Sequence, residues 1–188
     1  MPVQPTDSGD AGLGKRLVDQ LRDRGSVSAP AVQRALRTVD RHVILPAVSL
    51  REAYADDSVC SKFDASGMRI SAASQPTIVA MMLEGLDVAP GHRILEIGAG
   101  YNAARPAELT GPTGRLTIID VDEDIVAAAR TNLATAHTFA DPGADAAAAG
   151  RRNRRIGWCR SCVTTVRSGS ASAAYDRVFA TTTPGGTT

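Results

Sequence analysis

The residues with the clearest chemical meaning are Glu96, Gly98, Ala99 and Gly100, which follow the apolar run Ile94–Leu95, and Asp120, which ends a second apolar run, Leu116–Ile119. An apolar run that breaks on glycines, passes through a helix-like segment and returns to end on an acid is the opening of a nucleotide-binding βαβ unit. The glycines let backbone N–H groups come close to a ligand, and the acid accepts hydrogen bonds from ribose hydroxyls. Two glycines after a strand also suit a bare turn. Asp120 equally suits a strand-end or helix-capping carboxylate, because Asp122, Glu123 and Asp124 crowd the next helix N-terminus, where negative charge is favoured. Ser74, read from the residues alone, is a cap ahead of Pro76.

A second chemistry is written at Cys159 and Cys162, which follow Trp158 in the spacing of a dithiol redox centre. That motif works when the first cysteine opens a helix, which lowers its pKa. Here Val163–Val166 follows and favours a strand. A zinc site would need two more ligands, and Cys60, His42, His92 and His137 are irregularly spaced. We therefore expect no metal site. His42 reads as a packing or capping residue, and Met81 and Met82 as core.

The elements that must position these groups follow from hydrophobic spacing. Leu13, Leu17 and Leu21 recur on one stripe of a helix from Ala11 to Arg24, closed by Gly25. Ser28 is placed to cap a second helix with Pro30 in its first turn and Val32, Leu36 and Val39 on its apolar face. Arg41–Pro46 is expected to be extended, and Tyr54–Gly67 to be loop. A helix after Pro76 carries Ile78, Met81, Met82 and Leu86, and Pro90–Gly91 turns into the first apolar strand. Asn102 is expected to cap a helix to about Leu109. Gly111–Gly114 turns into the second strand, and Ile125–Leu133 forms a short helix. Val163–Val166 and Tyr175–Ala180 read as strands.

The 188 residues carry a formal net charge of +1, which argues against a nucleic-acid-binding surface. No run of about 18 apolar residues is available to span a bilayer, and the segment from Met1 to Thr6 lacks the features of a secretory signal. Three cysteines do not make a disulfide framework. These readings lead us to expect a cytoplasmic chain with no membrane or nucleic-acid partner. Residues 1–10 are expected to be a disordered tail, and 11–188 a single domain. Within it, 11–88 forms a helical, substrate-side region and 89–188 a partial nucleotide-binding core.

Several blocks, in order and spacing, resemble the protein-L-isoaspartate O-methyltransferase family. They are Asp40–Pro46, Tyr54–Asp56, Ser74–Pro76 leading to Met82–Glu84, Gly91–Gly100, Thr117–Asp120 and Tyr175–Ala180. The Ser71–Ser74 stretch also looks like the branch of that family that modifies precursor peptides. The resemblance implies an α/β fold with a Rossmann-like, doubly wound, mostly parallel sheet, incomplete at its C-terminal side and preceded by a helical extension. It implies S-adenosylmethionine as cofactor and methyl transfer to an aspartyl or isoaspartyl carboxylate of a protein or peptide.

By the same resemblance, Gly98, Ala99 and Gly100 admit the methionine portion of the cofactor, Glu96 shapes the loop, and Asp120 holds the ribose. Ser74 orients the attacking carboxylate. The chain departs from the family pattern where Gly100 runs directly into Tyr101 and Asn102, as though two residues were missing. It departs again where Arg105 and Pro106 replace an apolar pair, and where Arg167–Ser170 lacks the adenine-contacting acid. Ala134–Ser161 resembles nothing in the family. A catalytically impaired remnant, or a binding module of the same fold, is the competing expectation.

Overall fold

The computed structural model describes residues 10–98, 101–120, 122–139, 163–165 and 175–181. The N-terminal tail, Cys159 and Cys162 lie outside the described residues, as do Ala99, Gly100 and the segment Arg167–Ser170.

Helix α1 spans Asp10–Asp23 and buries Leu17, Val18 and Leu21. It ends in a left-handed residue, Gly25 at φ 74°. The Gly25 N–H donates to Arg22 O and the Ser26 N–H to Leu21 O, both at 2.9 Å, satisfying carbonyls that the helix end would otherwise orphan. Helix α2 runs Pro30–Thr38 with Pro30 at its start, where the missing N–H costs nothing. Ser28 does not cap it, contrary to expectation. Its Oγ donates to Glu84 Oε2 (2.7 Å), and the Ala29 N–H donates to Glu84 Oε1 (2.8 Å). A carboxylate from a later helix has taken over the capping role, which local sequence does not reveal.

Arg41–Pro46 is not extended at its start: Arg41–Ile44 is a short helix, α3, because its apolar face reaches the core through the buried Ile44. Helix α4, Leu50–Ala53, is opened by a reciprocal cap between Ser49 and Glu52. The expected loop Tyr54–Gly67 contains strand β1, Val59–Phe63, which pairs antiparallel with β2, Arg69–Ala73. The turn between them is built by Asp64, whose Oδ1 accepts from the N–H groups of Ser66 (2.8 Å) and Met68 (2.9 Å). That turn chemistry was the missed signal.

Helix α5, Pro76–Leu86, buries Val79, Ala80, Leu83 and Leu86. Its stripe is shifted from the one expected: Ile78 and Met81 are exposed, while Met82 packs against the core. Strand β3, Arg93–Ile97, leads to α6, Ala104–Thr110, and through a 3-10 turn at Gly111–Thr113 to β4, Arg115–Asp120. Asn102 does not cap α6. Ala103 occupies that position without a side-chain bond, and Asn102 is buried. Pro106 thereby falls in the first turn, where its lost N–H needs no intrahelical partner. Helix α7 is longer than expected, Glu123–Phe139. Strands β5, Val163–Thr165, and β6, Arg177–Ala180, complete the described elements.

The second sheet is parallel in the order β5-β4-β3-β6. The chain winds outward from β3 through β4 to β5, then returns to lay β6 on the other side of β3. This reversal is the signature of the doubly wound, Rossmann-like arrangement, and ligands bind such sheets where the winding reverses, outside the carboxyl ends of the strands. Ile94, Leu116, Ile118 and Phe179 on the sheet pack with Val126 and Leu133 of α7. A second cluster joins α1, α2 and α5 through Leu17, Leu21, Val32, Val79 and Leu83.

Candidate functional site

The parallel register of β3 and β4 pairs Glu96 with Ile118 and Ile97 with Ile119. Gly98 and Asp120 are the next residues along the two strands, so both stand at the same end of adjacent strands. The Gly98 N–H donates to Ile119 O at 2.9 Å, fixing the glycine on the neighbouring strand.

Gly98 has φ 137°, a conformation side chains rarely adopt. A Cβ there would lie 2.6 Å from Thr181 Oγ1 and 3.2 Å from the Thr181 backbone. The close approach that requires glycine is therefore to the residue that leaves β6. The Thr181 N–H donates to Ile97 O (2.8 Å), and its Oγ1 donates to Glu96 Oε1 (3.3 Å).

Glu96 is fully buried in the middle of the sheet, and its Oε2 has no partner among the described residues. Burial pushes its carboxyl up to about 8, against the opposing effect of hydrogen bonds from Thr181 and the Asn102 backbone and of the Arg105 charge. Glu96 is thus a neutral acid at pH 7, suited to shaping the loop above it. Asn102 Oδ1 is likewise buried and unpartnered. The two unpartnered oxygens flank the turn between β3 and α6.

Asp120 is half-buried, and its Oδ1 accepts from the Asp122 N–H (2.9 Å). Asp122 opens α7, accepting from the N–H groups of Asp124 (3.0 Å) and Ile125 (3.3 Å). Lys62 of β1 reaches across to Asp122 Oδ2 at 2.6 Å and Asp124 Oδ2 at 3.0 Å. The β1–β2 hairpin is thereby tied to the carboxyl end of β4. Lys62 had no assigned role in the sequence, because its partners are distant in the chain.

Ser74 follows β2 and precedes α5, whose N-cap residue is Gln75 and not Ser74. Its carbonyl accepts from an Arg41 guanidinium nitrogen at 2.9 Å. The start of α5 is anchored by Asp56, which accepts from the Thr77 N–H (2.9 Å), Thr77 Oγ1 (2.7 Å) and Arg24 (2.9 Å). Asp56 sits in one of the sequence blocks quoted above, but this organising role becomes visible only in three dimensions.

His42 Nδ1 lies 2.9 Å from Tyr54 Oη, in keeping with a packing role. His92 Nδ1 accepts from the Ala89 N–H (3.1 Å), and Cys60 is half-buried with its thiol near backbone carbonyls. Among the described residues no group of three His, Cys, Asp or Glu could hold a metal ion. Nor is any described helix long and apolar enough to cross a membrane.

The Asp120 carboxylate beside Gly98 offers an acceptor oxygen of the kind a ribose hydroxyl would use. Asn102 Oδ1, without a partner among the described residues, is an acceptor of the kind an ammonium group would satisfy.

The family model described as protein-L-isoaspartate(D-aspartate) O-methyltransferase matches residues 13–183. A protein-L-isoaspartate O-methyltransferase of Methanothermobacter thermautotrophicus is 40% identical over 108 residues, covering 56% of this chain and 47% of the relative. Its counterpart in Methanosarcina mazei is 41% identical over 123 residues, covering 64% and 47%. The chain thus spans about half the length of the curated relatives it matches. A solved protein-L-isoaspartate O-methyltransferase superimposes with a TM-score of 0.57 at 27% identity, over 64% of this chain and 38% of that one. The putative enzyme from Plasmodium falciparum, solved with S-adenosyl-L-homocysteine, gives 0.55 at 21% identity over 65% and 56%, a likeness of fold. With the doubly wound sheet, Gly98 and Asp120 at its carboxyl edge and a family match over nearly the whole sequence, the chain belongs to the protein-L-isoaspartate(D-aspartate) O-methyltransferase family.

Proposed function

We propose that this chain is an S-adenosylmethionine-dependent carboxyl O-methyltransferase acting on an aspartyl or isoaspartyl side chain of a protein or peptide. The observation that carries this reading is the parallel pairing of β3 with β4, which brings Gly98 and Asp120 together where the winding of the sheet reverses. Asp120 would hold the ribose hydroxyls through the carboxylate oxygen not used by the Asp122 N–H. The backbone of Gly98, Ala99 and Gly100 would border the methionine portion, and Glu96 would hold the loop from below.

The bound cofactor supplies a methyl group on a sulfonium, open to in-line displacement by an oxygen. A carboxylate is already a competent nucleophile near pH 7, so the protein needs no strong base. Its contribution is to fix the two reactants within reach of each other, an effect worth up to about 7–11 kcal/mol when alignment is good. Ser74, whose backbone is held by Arg41, would orient the attacking oxygen through its hydroxyl. The proposal includes a cytoplasmic setting, on cysteine usage, and one folded domain over residues 11–188. Transfer of labelled methyl from S-adenosylmethionine to an isoaspartyl peptide, with an ordinary peptide of the same sequence as control, tests it. Equal, background-level labelling of both peptides would count against the reaction.

A second reading rests on Thr181, which leans on Gly98 where backbone and cofactor were expected to meet. On that reading the chain is a catalytically impaired relative, or a binding module, that keeps the fold. Failure to bind S-adenosylhomocysteine would favour it.

A further inference from the structure

Two arginines are buried where the N-terminal helices meet α6. Arg41, at the start of α3, is 4% exposed, and Arg105, in α6, is 3% exposed. Each makes a hydrogen bond to a backbone carbonyl, Arg41 to Ser74 O at 2.9 Å and Arg105 to Tyr101 O at 3.3 Å, and each leaves its Nε–H without a partner among the described residues.

Among the described residues neither has a carboxylate of its own. Asp56 attracts Arg41 but already accepts from Thr77 and Arg24. Glu96 attracts Arg105 but is itself held protonated around neutral pH. Burial and their mutual repulsion push Arg41 down to about 9, and burial pushes Arg105 down to about 10. Buried charges in proteins are paired or bind an ion, so two like charges with free donors call for an anion.

Both arginines line one cavity of about 20 Å³, walled otherwise by Leu17, Val39, Val79 and Tyr54 among others. A space of that size holds about one water-sized particle. Its walls are largely apolar apart from the two guanidinium groups and Tyr54.

We propose that the cavity shared by Arg41 and Arg105 is a structural halide site, taking one chloride ion that accepts from the two free Nε–H groups and neutralises the pair. The ion would tie α6 to the α1–α2 layer, apart from the carboxyl edge of the sheet and independently of whether the chain transfers methyl groups. Arg105 stands where the family resemblance implies an apolar residue, so the site is a property of this chain.

The test compares thermal melting of the full chain in sodium chloride, sodium bromide and sodium gluconate at one ionic strength. Chloride and bromide should raise the midpoint by about 3 °C over gluconate, with a saturating concentration dependence. In Arg105→Met the response should vanish. Identical melting in all three salts overturns the site, and so does a halide response that survives unchanged in Arg105→Met. Should that variant not fold, bromide-soaked crystals of the unaltered chain give the answer. An anomalous peak between the two guanidinium groups supports the site, and bromide peaks only elsewhere refute it.

Discussion

Lys62 Nζ stands 2.6 Å from Asp122 Oδ2, joining the β1–β2 hairpin to the helix that follows Asp120. The two side chains are 30% and 25% exposed, so the pair is only partly screened by water. Both partners respond as a bonded pair should: hydrogen bonds to Asp122 and Asp124 raise Lys62, and Lys62 holds Asp122 below the usual carboxylate range. The bridge is a local clasp. Replacing Lys62 by Met should leave global stability nearly unchanged, as for most partly exposed ion pairs, yet speed proteolysis within residues 59–73. Unchanged cleavage in the variant would mean that the hairpin is held by something else.

Asp56 organises the start of α5. Its carboxylate accepts from two groups of Thr77 and from Arg24, and its side chain is 14% exposed. Asp56→Ala leaves the Thr77 donors unsatisfied and should cost about 2 kcal/mol in denaturant unfolding. A loss within about 0.5 kcal/mol of zero, the usual range for surface substitutions, would show that water replaces the carboxylate without penalty.

Glu96 gives stability a pH dependence whose sign follows from its direction of shift. The folded state holds the proton up to about pH 8, whereas the unfolded chain releases it near the ordinary glutamate value of 4.5. Between those values the folded state binds more protons, so stability falls as pH rises through that window and levels off above it. Glu96→Gln keeps the shape and removes the titration, and should flatten this slope. A slope that persists in the glutamine variant would assign it to another group.

Gly98→Ala should destabilise the chain strongly, because its Cβ would meet Thr181 at 2.6 Å and the backbone sits at φ 137°. Truncating the neighbour as well, in Gly98→Ala/Thr181→Ala, should not restore stability, since backbone atoms of Thr181 remain 3.2 Å away. Full recovery in the double variant would show that the Thr181 hydroxyl was the whole obstacle.

The parts of the fold that were legible in the sequence are those fixed by local patterning. The stripe of Leu17 and Leu21, the glycine stop at Gly25 and the paired apolar runs of β3 and β4 all stand where spacing put them. The reversal at β6 was less visible, since a strand of four residues carries its neighbour's identity nowhere in its own sequence. What failed was decided by distant partners. Glu84 displaced Ser28 as a cap, and Asn102 was drawn into the interior. In the candidate site, the positions of Glu96, Gly98 and Asp120 were legible because they follow from where two strands end. Lys62, Asp56, Arg41 and Thr181 were not, because each acts on a segment far along the chain.

The central claim is that the carboxyl edge of β3 and β4 holds the cofactor, and titration calorimetry with S-adenosylhomocysteine tests it most directly. The unaltered chain should bind with a dissociation constant on the order of micromolar, about −8 kcal/mol. Asp120→Ala should weaken binding at least about tenfold, a loss of some 1.4 kcal/mol. Asp120→Asn, which can still accept from the Asp122 N–H, keeps the turn and controls for folding. No heat from the folded, unaltered chain at millimolar ligand, or undiminished affinity in Asp120→Ala, would contradict the account.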